Sequence, residues 1–165
     1  MTERVLALDV SFRNCGYALV SGFGEIIEHG CIHTDSGRRD RLHLKRQTGE
    51  SVAAHNARVC GFLARELDDK RRWLQPTRII AEIPHGGAQG ARANACMGMA
   101  LGIVTSVFRN CECVWVRPQR TKGNAEAACR AEWPSHAWPA TKGDSEHIFD
   151  ALSAYLIWRE KETEQ

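Results

Sequence analysis

Residues 4–10, RVLALDV, decide how this chain is read. An apolar run from Val5 to Leu8 ends at Asp9, the pattern of a buried strand that delivers a carboxylate to its end. A polar turn, Ser11 to Asn14, leads to a second strand at 15–21, CGYALVS. Gly22-Phe23-Gly24 then closes a hairpin into a third strand at about 25–33. The three strands form an antiparallel meander.

Beyond the meander the period changes. Residues 35–47 are polar and basic and read as a loop. From Thr48 to Arg72 the pattern is helical, with Val52, Val59, Leu63 and Leu67 near one face, Thr48 or Ser51 as cap and Pro76 as terminator. RIIAEI, 78–83, is a fourth strand carrying Glu82 near its end. A Gly-rich loop runs from Pro84 to Gly90, and a helix follows at about 91–109. That helix has an apolar stripe (Ala93, Met97, Ala100, Val104, Val107) and a second stripe of small residues (Ala91, Ala95, Gly98, Gly102). The small stripe packs either on its own sheet or on a second subunit. ECVWV, 112–116, is a fifth strand. A helix with a loop start spans 118–133, an irregular Trp/Pro segment 133–141, and a last helix about 144–160, burying Ile148, Leu152, Tyr155 and Leu156. The order βββ-α-β-α-β-α-α describes an α/β domain with a five-stranded mixed sheet, three strands antiparallel and two parallel, over residues 1–165.

Composition supports a single folded domain. The 165 residues are 43% apolar and 25% charged. No apolar run is long enough to span a bilayer, and no basic-then-apolar leader opens the chain, so a cytoplasmic location is expected. Seven cysteines, an odd number without an export signal, are expected to be thiols, with Cys15, Cys31, Cys96 and Cys113 as small core residues. Net charge is only +2, but basic residues cluster at Arg38, Arg39, Arg41, Lys45 and Arg46, and again at Arg117, Arg120 and Lys122.

Three acids sit where chemistry is expected. Asp9 ends the first strand, Glu82 lies near the end of the fourth, and Asp150 follows Glu146 and His147 in the last helix. His147 and Glu146 precede Asp150 by three and four residues, which places them on one helical face. Each taken singly has an ordinary reading: a turn former, an ion-pair partner of Arg92, a helix N-terminal acid, a plain histidine. Together they suit Mg²⁺ or Mn²⁺, because buried carboxylates need cationic partners and hard oxygen donors select those ions.

These segments resemble the RuvC family of Holliday-junction resolvases, within the RNase H-like superfamily. VLALDVSFRNCGYALV is similar to that family's first strand-turn-strand, RIIAEIPHGG to its Glu-bearing strand, and EHIFDALSAYLIW to its closing helix. The paired Trp-Pro steps at 133–134 and 138–139, with Lys142, look most like phage-borne or viral members. The loop after Glu82 has no Phe or Tyr, unlike the family's wedge loop.

The resemblance implies a two-ion Mg²⁺ site, with Mn²⁺ able to substitute, formed by Asp9, Glu82, Asp150 and His147, with Glu146 as a further or alternative ligand. Asp9 would touch both ions, Glu82 on the leaving-group side and Asp150 or His147 on the nucleophile side. The cut would leave a 5′-phosphate. His147 would act as ligand or general base, and Lys142 would stabilise charge on the phosphate. Contacts to branched DNA are expected from Arg13, Arg38, Arg39, His85, Gln89, Arg92, Arg117, Arg120 and Lys122. Paired cutting of a four-way junction implies a homodimer, with the helix at 91–109 as the seam.

Rival readings are a nuclease of the same fold acting on flaps, forks or RNA–DNA hybrids, and a non-catalytic DNA-binding member of it. An actin-like ATPase needs two such domains. His29, Cys31 and His33, which alternate on one strand face, and Cys111 and Cys113 offer donors for a structural zinc site, but neither set has Cys-x-x-Cys spacing.

Overall fold

A computed structural model describes residues 3–34, 44–83, 90–117 and 122–164, apart from the side chains of Arg92 and Lys122. In chain order the elements are β1 (Arg4–Asp9), β2 (Asn14–Ser21), β3 (Ile26–His33), α1 (Val52–Leu74), β4 (Arg78–Glu82), α2 (Ala91–Val107), β5 (Glu112–Val116), α3 (Lys122–Glu132) and α4 (Lys142–Thr163). The expected five-stranded mixed sheet is present, ordered β3-β2-β1-β4-β5. β1–β2 and β2–β3 are antiparallel, and β1–β4 and β4–β5 are parallel.

Local chemistry explains the turns. Ser11 Oγ accepts from the Asn14 N–H at 3.0 Å and donates to the Asn14 carbonyl, which fixes the β1–β2 turn. Gly24 holds φ 82 in the β2–β3 turn, a conformation that suits glycine. Ser51, not Thr48, caps α1 by accepting from the Ala54 N–H at 3.1 Å. At the other end Gln75 adopts φ 46 and donates its N–H to the Arg71 carbonyl before Pro76 stops the helix.

Strand alternation sorts the core into two layers. Leu6, Leu8, Leu19, Ile79 and Ala81 face Phe62, Leu63 and Leu67 of α1 and Ala100 and Val104 of α2. Val5, Ala7, Ala18, Val20 and Ile80 face α3 and α4. Period two therefore puts Asp9 on the α4 side with Ala7, and Glu82 there with Ile80.

Three expectations are corrected. α4 is not amphipathic: Ile148 through Trp158 is buried except Asp150, because the helix lies between the sheet and α3. Val52 and Ala93 are exposed instead of joining their stripes, since each sits in the first turn of its helix. The small-residue stripe of α2 is not packed on its own sheet. Ala91, Ala95, Gly98 and Gly102 are all exposed, and a Cβ on Gly98 or Gly102 would meet nothing within 4 Å. No helix among the described residues is long and apolar enough to cross a membrane.

Candidate active site

The parallel pairing of β1 with β4 sets Asp9 directly beside Glu82 at the C-terminal end of both strands. On Asp9's other side the register partner is Gly16 of β2. A Cβ at Gly16 would lie 2.2 Å from the His147 carbonyl oxygen, so only glycine lets α4 come down onto the sheet here. That close approach brings His147 to Asp9. Their Nδ1 and Oδ2 atoms are 2.7 Å apart, across a sequence separation of 138. Both side chains are mostly buried, at 22% and 16% exposure.

The electrostatics of the pair are one-sided. The hydrogen bond to Asp9 raises the His147 pKa above its ordinary 6.5, burial opposes this, and the charges of Asp9, Asp150 and Glu146 add to the rise. His147 thus registers the field of three acids at once. Asp150 and Glu146 are half-buried on α4 within electrostatic reach of His147. Lys142 is exposed at the first residue of α4, one turn before Glu146.

The donor chemistry fits Mg²⁺ or Mn²⁺: carboxylates from Asp9, Glu82, Asp150 and Glu146 come from strand ends and one helix to the same edge of the sheet. The acids are not drawn into the tightest donor group. Among the described residues that group is Cys31, His33 and Asp144, whose ligand atoms lie within 4.8 Å of one another. Ligands spread around two ions about 3.5–4 Å apart form a wider set than that.

Of the expected DNA contacts, Arg13 is exposed in the turn between β1 and β2, and Arg117 is exposed immediately after β5. Since β1, β4 and β5 run parallel, both arginines stand at the sheet edge that carries Asp9 and Glu82. Arg38, Arg39, His85, Gln89 and Arg120 lie outside the described residues, as do the side chains of Arg92 and Lys122.

Sequence reasoning missed Gly16 and Asp144. A glycine inside a strand was the available signal for the first. Asp144 gave none, because its partners are on β3. The cysteine reading is corrected as well. All seven are thiols among the described residues, but Cys31, Cys96 and Cys113 are only half-buried, while Cys129 is buried under α4.

No family model matches the chain, and no curated protein matches it. Among solved structures, RuvC of Thermus thermophilus in complex with a Holliday junction substrate is similar over 98% of this chain and 97% of its own, with TM-score 0.70 and 15% identity. A second Thermus thermophilus RuvC structure matches over 97% of each chain, with TM-score 0.67 and 13% identity. The yeast mitochondrial Holliday junction resolvase Ydc2 matches over 96% of this chain and 79% of its own, with TM-score 0.56 and 14% identity. The chain therefore has the fold of the RuvC-type Holliday junction resolvases.

Proposed function

We propose that this chain is a metal-dependent endonuclease that cuts branched DNA, with the four-way junction as its substrate. One observation carries the reading: Asp9, in register with Glu82, is met by His147 of the helix that also carries Glu146 and Asp150. Folding gathers costly acids from distant segments to one sheet edge, which a purely structural role does not require. The three similar structures are resolvases, one of them holding a Holliday junction, which points the same way.

Asp9, Glu82, Asp150 and His147 would hold two divalent cations, with Glu146 as the alternative to His147. When bound, such ions supply an activated water and stabilise the departing 3′-oxygen. The protein's own residues do the rest. Asp9 fixes the His147 ring through Nδ1 and raises its proton affinity, which leaves Nε2 as the nitrogen that would take a proton. Arg13 and Arg117 flank the edge and would hold the phosphate backbone. Lys142 would add positive charge near the reacting phosphate.

Cutting both strands of a junction symmetrically takes two copies of this site, so a homodimer is part of the proposal. The exposed small-residue stripe of α2 is its seam. The test is cleavage of a labelled mobile four-way junction beside a flap, a duplex and an RNA–DNA hybrid, with and without Mg²⁺. Metal-dependent cutting of the junction is expected. Preferential cutting of the flap or hybrid would move the assignment to another nuclease of this fold, and metal-independent binding without cutting would make it a binding protein.

A further inference from the structure

Cys31 and His33 alternate on β3, so both point to the α4 side of the sheet with Asp9 and Gly16. His29, the third member of that strand face, turns away to pack against His136 and Trp138. Its place is taken by Asp144, from the first turn of α4. His33 Nε2 lies 2.8 Å from Asp144 Oδ1, and Cys31 Sγ lies 3.9 Å from His33 Nδ1.

The orientation of His33 is set from behind. Its Nδ1 is 2.9 Å from Asn14 Oδ1, and Asn14 is its cross-strand register partner. An Nδ1–H donated to that oxygen turns Nε2 toward the Asp144 carboxylate. A proton bridges these two atoms in the metal-free protein, and a metal ion bound there would displace it. A histidine with one ring nitrogen anchored by an amide and the other turned toward a neighbouring ligand is the usual arrangement behind a metal-bound imidazole.

We infer that Cys31, His33 and Asp144 bind one thiophilic divalent transition metal of the Zn²⁺ class, at a site separate from the Asp9–Glu82 centre. Sulfur and imidazole donors select such an ion over Mg²⁺. Ligand distances of about 2.0–2.3 Å around a tetrahedral ion are met with an opening of about half an ångström between His33 and Asp144. The three residues leave the fourth position to water. Cys31 is two strands from Asp9 through Gly16, which puts the site about 10 Å from that carboxylate at ordinary strand spacing. An ion here ties β3 to the first turn of α4, three residues before His147, and so fixes the seat of that histidine.

The experiment is a Co²⁺ titration of the metal-free full-length protein, followed by the thiolate-to-cobalt charge-transfer band and by displacement with Zn²⁺. The band should saturate at one equivalent, persist in Asp9→Asn and in Cys60→Ser, and vanish in Cys31→Ser. Asn14→Ala should weaken Co²⁺ binding by about 10–100-fold through loss of the histidine's anchor. Far-ultraviolet circular dichroism checks that each variant is folded, and Asp144→Asn, an isosteric change, gives a second route should Cys31→Ser not be. No charge-transfer band, or a band that survives Cys31→Ser, would overturn the inference and leave His33 and Asp144 as an ion pair only.

Discussion

His147 Nδ1 and Asp9 Oδ2 meet at 2.7 Å, joining α4 to the end of the central strand. In this contact the imidazole N–H donates to the Asp9 carboxylate in the metal-free protein. The hydrogen bond is also the largest cause of the raised His147 pKa. In metal-free protein, Asp9→Asn should move the His147 titration, followed by NMR, to lower pH. A midpoint unchanged by that substitution would show that Asp9 does not control the ring.

The pair depends on the glycine beneath it. Gly16→Ala places a Cβ 2.2 Å from the His147 carbonyl oxygen, a backbone atom that cannot swing aside. The helix must shift, at a cost of about 1–3 kcal/mol in stability. Urea unfolding should show that loss, and cleavage should fall with it as His147 is carried away from Asp9. Wild-type stability and activity in this variant would mean that α4 is not seated as described.

A second histidine pair sets an acid limit. The rings of His29 and His136 lie 4.9 Å apart, and His29 Nδ1 and His136 Nε2 are buried without hydrogen-bond partners among the described residues. Burial is the main cause lowering both pKa values from the ordinary 6.5. Depressed folded-state values mean that the unfolded chain takes up protons first as pH falls. Their stabilising contribution is present above pH 6.5 and is lost as pH falls from there through the folded values. His147 runs the other way, its contribution fading as pH rises through its raised value. The urea midpoint of His136→Phe should fall less than that of wild type on acidification below pH 6.5; equal falls would remove His136 from the account.

The proposed seam makes a separate prediction. Gly98 is exposed on α2 with open space around its would-be Cβ, so arginine is tolerated in the isolated subunit. Replacing a mid-helix glycine should stabilise that subunit by up to about 1 kcal/mol. Light scattering of Gly98→Arg should nonetheless report a monomer, with paired junction cutting reduced to single nicks. A Gly98→Arg dimer would place the interface elsewhere.

The sheet and the acids were legible in the sequence because both rest on local pattern. Alternation and turn residues specify the meander, and an acid closing an apolar run marks itself, as Asp9 and Glu82 do. What the sequence concealed is tertiary. α4 carries apolar residues on all sides because α3 covers the flank that a lone surface helix leaves to water. The α2 stripe of Ala and Gly reads equally well as a buried or a presented face until the packing is seen. Asp144 joins Cys31 and His33 from over a hundred residues away, so no spacing along the chain announces that group.

The central claim is that Asp9 acts as part of a metal-dependent cutting site, separately from DNA recognition. Its most direct test is to incubate wild type and Asp9→Asn with a labelled mobile four-way junction in Mg²⁺, scoring binding and strand cleavage in the same samples. Wild type should cut and Asp9→Asn should bind with similar affinity and leave the strands intact. Cleavage by Asp9→Asn at the wild-type rate would contradict the account.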